Sequence, residues 1–157
     1  MPEKILHGLD GSPGSLAALE EAIRLAKALG AELHTISVEE VPHYAGAIGE
    51  VVEEKELAKH KFHEAVARAR DMARREGVAI RSHVIVGHEV KTIVEFITAH
   101  RFDLLVVGFM GHSAIYERVM GSTCQSLVRL APCSVLVVKT QALANGPSVK
   151  NLPESRV

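Results

Sequence analysis

The chain has 157 residues, 47% apolar and 24% charged, with a formal net charge of −1. That length fits one domain with a core large enough to need no disulfide or metal staple. A charge near zero leaves no electrostatic footprint for nucleic acid or a membrane surface, and no run approaches the roughly 20 apolar residues of a membrane span, so neither partner is expected.

The first strand candidate is KILHGL, residues 4–9; His7 stands there where a strand of this kind usually carries an apolar residue. In residues 13–30, Leu16, Leu19, Ile23 and Ala26 recur at helical spacing, with Gly30 as the expected stop. ELHTISV, residues 32–38, reads as the second strand. Residues 39–50 contain Pro42, Gly46 and Gly49 and read as irregular. Ala58, Phe62, Ala65, Ala69 and Met72 then form a stripe in a helix over residues 51–76, closed by Gly77. Residues 78–86 are a third strand. In residues 88–100, Val90, Ile93, Val94 and Ile97 are the expected inward face of a third helix. Apolar runs at 103–108 and 133–138 read as the fourth and fifth strands, with a helix over 122–130 between them.

This alternation predicts an α/β fold, a single-domain open parallel sheet of five strands with helices on both faces. The continuous runs Leu104 to Val107 and Val135 to Val138 agree, because such strands are buried on both sides. The domain is expected over residues 1–139. Residues 140–157, with two prolines and no periodicity, are expected to be a flexible extension.

Cys124 and Cys133, the two cysteines, form no C-x-x-C pair and read as reduced thiols. The N-terminus has no signal-peptide pattern, so a cytoplasmic protein is expected. His60 and His63 stand at i, i+3 but fit neither H-E-x-x-H nor H-x-x-E-H, and read as surface histidines rather than metal ligands. His34 and His83, both in strands, read as exposed or hydrogen-bonded.

The stretch with most chemistry is GFMGHSAIYERVMGST, residues 108–123. Gly108, Gly111 and Gly121 are separated by two and then nine residues, and Ser122 and Thr123 follow at the start of a helix. In an open α/β sheet, ligands bind outside the carboxyl ends of the strands where the strand order reverses. Gly108 sits at such an end, where glycine permits close ligand approach and a positive φ. A helix start after Gly121 has N–H groups without internal partners and a partial positive charge, a phosphate site with the Ser122 and Thr123 hydroxyls as further donors. Taken singly, Gly108 could merely end a strand, Gly111 make a turn, and Ser122 cap a helix. Asp10 could accept from a ribose hydroxyl or an amine, or cap the helix near Ser12. No Walker-type Gly-Lys pair, G-x-G-x-x-G or G-x-S-x-G occurs.

The Gly108-x₂-Gly111-x₉-Gly121-Ser122 pattern resembles the nucleotide signature of the universal stress protein family. The opening strand, helix and strand and the segments FDLLVVG and SLVRLAPCSVLVV are similar to the same family over about residues 3–139. The resemblance implies a 3-2-1-4-5 strand order of the adenine-nucleotide α-hydrolase-like architecture and ATP, ADP or AMP held across strands 1 and 4. Gly8 and Asp10 would face the adenosine end, and the backbone of Val38 the adenine. Gly108, Gly111, His112 and Ser113 would line ribose and phosphates. Gly121, Ser122 and Thr123 would hold the phosphate chain, with Mg²⁺ or Mn²⁺ bridging its oxygens. The expected activity is that of a nucleotide-responsive stress or regulatory module with little or slow hydrolysis. It is expected to act as a homodimer joined through strand 5, residues 134–138. Phe109 and Met110 depart from the family pattern, which often has a basic or polar residue before the second glycine; His112 and Arg118 are the candidate substitutes. That departure keeps open a dimeric interaction module without nucleotide affinity; a nucleotide-hydrolysing enzyme is the other alternative.

Overall fold

The computed structural model describes residues 1–40, 48–110 and 120–139. Five strands, β1 (Lys4–Gly8), β2 (Glu32–Glu39), β3 (Ile80–Val86), β4 (Leu104–Gly108) and β5 (Ser134–Val138), alternate with helices α1 (Pro13–Leu29), α2 (Ile48–Arg75), α3 (Glu89–His100) and α4 (Ser122–Leu130). The strands form one parallel sheet of order β3-β2-β1-β4-β5, as expected. The chain order therefore reverses at β1, whose two neighbours are β2 and β4.

The sheet's two-residue side-chain period divides the core in two. Ile5, Leu9, Leu33, Leu104 and Val106 pack with Leu19, Ile23 and Ala26 of α1 and Ala65, Ala69 and Ala73 of α2. Leu6, Ile36, Val38, Leu105 and Val107 pack with Ile93 and Ile97 of α3 and Leu127 of α4. Ile93 and Ile97, one helical turn apart, are 2% and 1% exposed. Each such burial stabilises the fold by roughly 1.5–3 kcal/mol. Val90 and Val94 flank them half-buried.

Helix ends follow local chemistry. Ser12 caps α1, its Oγ accepting from Ser15 N at 3.2 Å, and Pro13 opens the helix where its missing N–H costs nothing. Gly30 closes α1 in the left-handed region, φ 64°. Arg101 does the same after α3 at φ 55°, a conformation non-glycine residues seldom adopt.

Several boundaries differ from expectation. β2 runs one residue further, to Glu39, because it remains paired with Val86 of β3. α2 starts at Ile48, inside the stretch expected to be irregular; helical pairing includes Gly49 despite its propensity cost. β3 starts at Ile80, because Val78 N is turned back to Ala73 O in the loop closing α2. His34 is buried: its Nε2 lies 3.3 Å from Glu32 Oε2, and its Nδ1 lies 2.9 Å from His83 Nε2. The carboxylate can only accept, so His34 Nε2 holds a proton and Nδ1 accepts from His83. Burial lowers the pKa of both rings. His60 and His63 are exposed. The expectation for residues 140–157 lies outside the described residues.

Candidate functional site

The carboxyl end of β1 is shaped by a short hydrogen-bonded turn. Asp10 Oδ1 accepts from Ser12 N at 2.8 Å and from Ser12 Oγ at 2.5 Å. Ser15 Oγ accepts from Asp10 N at 3.1 Å and lies 3.4 Å from Gly8 O. Gly11, at φ 79°, supplies the left-handed turn between them. The cap of α1 is thus Ser12, and Asp10 holds that cap in place rather than being it. The same carboxyl group still lines the cavity described below.

The glycine loop is held at its base. Gly121 N donates to Phe109 O at 3.0 Å, and Phe109 N donates to Val138 O at 2.9 Å. Those bonds bring the end of β4 against the start of α4, although twelve residues of chain separate Gly108 from Gly121. The N-cap of α4 is Gly121, not Ser122, and Gly121 has no side chain with which to cap the helix. The first N–H groups of α4 therefore have neither an intrahelical partner nor, among the described residues, a side-chain cap from the N-cap position. Gln125 N donates to Gly121 O, the first bond of the helical ladder.

The positive φ considered for Gly108 is not adopted; among described glycines only Gly11, Gly30 and Gly77 have it. Close packing explains Gly108 instead. A Cβ there would lie 2.8 Å from both Gly14 C and Gly14 O. A Cβ on Gly14 would lie 2.5 Å from Met110 O. Two glycines let the start of α1 cross the end of β4 at backbone contact distance. At Gly8 a Cβ would touch only Val107 Cγ1, at an ordinary 3.4 Å.

A cavity of about 280 Å³ opens at this end of the sheet. Gly8, Asp10, Val38, Gly108, Gly121, Ser122 and Thr123 all line it. The tertiary structure thus brings together seven positions drawn from the ends of β1, β2 and β4 and the start of α4. Gly111, His112, Ser113 and Arg118 lie outside the described residues. Of the two spacer residues, Met110 lines the cavity, and Phe109 sits under Lys139, whose Nζ is 5.2 Å from the ring centroid. Ser12, Ser15, Phe62 and Glu89 also line the cavity and escape sequence reasoning. The position of Glu89 after the third strand could have flagged it, since every carboxyl-end loop of such a sheet opens toward the crevice.

Among the described residues no group of three or more His, Cys, Asp or Glu could hold a metal ion. Burial raises the pKa of the Cys124 thiol, which also lines the cavity. No helix is long and apolar enough to cross a membrane, among the described residues.

A doubly wound parallel sheet with a cavity at the strand reversal places the chain in the open α/β class, whose ligand sites lie at such a reversal. Comparison with known proteins narrows that class. The model of the universal stress protein family matches residues 1–139. A universal stress protein of Methanocaldococcus jannaschii is 35% identical over 139 residues, 87% of this chain and 82% of that one. The universal stress protein UspA of Lactobacillus plantarum shares the fold with a TM-score of 0.76 and 25% identity, over 86% of this chain and 96% of its own. A universal stress protein solved in complex with cAMP matches with a TM-score of 0.69 and 27% identity, over 87% of this chain and 97% of its own. The chain belongs to the universal stress protein family.

Proposed function

We propose that this protein binds an adenine nucleotide in the cavity between β1 and β4 and acts as a nucleotide-responsive stress or regulatory module. One observation carries the reading: the Gly121 N to Phe109 O bond places the start of α4 at the same cavity as Asp10 and Val38. The helix start offers N–H donors to a phosphate. Asp10 offers a carboxylate to a hydroxyl or amine, and the end of β2 near Val38 offers backbone to a base. The similar protein in complex with cAMP supports the ligand class. Gly111, His112 and Ser113 would complete the ribose and phosphate walls, and Mg²⁺ or Mn²⁺ would bridge phosphate oxygens when several are present. Hydrolysis is slow in this reading, because Asp10 Oδ1 already accepts two hydrogen bonds from Ser12. The active form is a cytoplasmic homodimer joined through β5.

Met110 favours a second reading, an interaction module without useful nucleotide affinity, because an apolar side chain on the cavity wall offers phosphate no charge-assisted bond. Mass spectrometry of small molecules released from the denatured, freshly purified protein separates the two. In calorimetry, wild type should bind AMP or ATP and Gly121→Val should not. Gly121 has φ −58° and ψ 146°, a conformation valine adopts freely, so the variant should stay folded. Wild-type affinity in that variant would refute the placement of the phosphate.

A further inference from the structure

The spacing along α2 reads Phe62 as part of one inward stripe with Ala65, Ala69 and Met72. The structure separates it from that stripe. Ala65, Ala69 and Ala73 are buried in the core between α1, α2 and the sheet, whereas Phe62 is half-buried and joins neither core cluster of the described residues. Its side chain lines the cavity at the carboxyl end of the sheet instead, the sole aromatic among the described lining residues.

Two small residues put it there. A Cβ on Gly11, in the turn after β1, would meet Ala65 Cβ at 3.5 Å. α2 therefore passes close over that turn, and Phe62 lies about one turn of helix earlier. Because α2 connects the parallel strands β2 and β3, it starts at the carboxyl end of the sheet and runs back to the amino end. Side chains on a helix tilt toward its N-terminus, so Phe62 leans outward past the end of β1, to the space that Asp10 and Val38 also border.

Val38, Ile93, Val107 and Leu127, which line the same cavity, belong to the face of the sheet packed with α3 and α4. Phe62 comes from the opposite layer. The cavity thus has apolar walls from both layers, with an aromatic ring in one of them. A flat heteroaromatic base gains stacking and dispersion against such a ring; a phosphate does not.

Resting on the nucleotide reading above, we infer that Phe62 is a specificity-determining residue: its ring is the wall against which the base packs, and it makes the cavity favour a bicyclic purine over a monocyclic pyrimidine. The larger face of a purine covers more of the ring and buries more apolar area.

The test is calorimetry of the full chain with AMP, and with CMP by displacement of AMP, for wild type, Phe62→Ala, Phe62→Leu and Phe62→Tyr. The two ligands share ribose and phosphate, so the ratio of their affinities reads the base. In Phe62→Ala, Kd(AMP) should rise about fivefold or more and the ratio Kd(CMP)/Kd(AMP) should fall about threefold or more, as loss of a base–aromatic contact does. Phe62→Tyr keeps the ring and should keep the wild-type ratio within about twofold. Phe62→Leu keeps much of the bulk without the aromatic face; it should move the ratio in the same direction as alanine, and it carries the test if circular dichroism shows the alanine variant unfolded. A ratio unaltered in a folded alanine or leucine variant would overturn the inference while leaving the nucleotide reading standing. Equal weakening of AMP and CMP would also overturn it, showing that Phe62 shapes the cavity without reading the base, and so would a wild type that binds CMP as tightly as AMP. Absence of AMP binding in wild type would bring down the nucleotide reading itself, and this inference with it.

Discussion

His7 shows what one residue does inside this fold. It lies in the middle of β1, fully buried, with Nδ1 3.0 Å from Val106 O. A carbonyl only accepts, so Nδ1 carries the proton and Nε2 has a lone pair, buried with no partner among the described residues. Desolvation outweighs the Val106 bond and pushes the pKa down to about 4 from 6.5. The unfolded chain therefore binds a proton between those values while the folded one does not, and stability falls as pH drops through that window. The neutral form's advantage is fully present above pH 6.5. From pH 7 to pH 5 the loss from this residue should be about 2 kcal/mol. Urea denaturation at both pH values should show that difference in wild type and a loss smaller by this amount in His7→Leu. The same slope in both proteins would show that His7 does not titrate as described.

At the scale of elements, the crossing of α1 over β4 governs the shape of the cavity. Gly14 and Gly108 permit backbone contact there, and neither could carry a Cβ without displacement. Gly108→Ala forces the start of α1 away from β4 and should cost about 1–3 kcal/mol, as overpacking of a tight contact does. Gly8→Ala meets only Val107 Cγ1 at 3.4 Å. It should keep wild-type stability within about 0.5–1 kcal/mol, the strand propensity scale working in its favour. Its methyl group enters a residue that lines the cavity, so AMP affinity should fall. Thermal and urea melts of the pair check the first contrast, and calorimetry checks the second; equal stability of the two variants would contradict the packing account.

For the whole molecule, the open question is what covers the sheet edges. β3 carries Arg81 and His83, which blunt its edge, though Val84 and Val86 are 50% and 61% exposed. β5 reads SVLVV, with no charge or proline. An uncharged apolar edge invites pairing with another strand. Two-fold pairing of β5 with its copy would satisfy both edges at once. Val138 O accepts from Phe109 N, so Val138 points its backbone toward β4. Alternation along the strand then turns the Val137 N–H and C=O to the open edge. Val137→Pro should remove an outward donor while sparing the β4 ladder. Light scattering at micromolar concentration should give a dimer for wild type and a shift toward monomer for the variant, with circular dichroism unchanged. A monomeric wild type, or a folded variant that remains fully dimeric, would sink the proposal.

Sequence alone determined the alternation of strands and helices, the buried strands such as Leu104 to Val107, and the glycine-marked segment after β4. These are local or periodic properties: a two-residue or 3.6-residue period, a helix-stopping glycine, a run too apolar for an exposed strand. Family resemblance in that segment supplied the 3-2-1-4-5 order and named seven cavity-lining positions in advance. What lay beyond reach depended on contacts between residues distant in the chain. Gly108 is glycine because Gly14 lies against it, and no pattern around position 108 records that neighbour. Ser122 looks like a cap, but the cap position is Gly121, whose N–H donates to Phe109 O and which has no side chain to cap the helix. His7 looks anomalous until Val106 O is placed beside it. Glu89 reads as an ordinary acidic first-turn residue, and only the packing of α3 beside α4 turns its carboxylate toward Thr123. Periodicity reports which face of an element is buried; which atoms meet there is decided by how the elements cross, and that is a property of the tertiary fold.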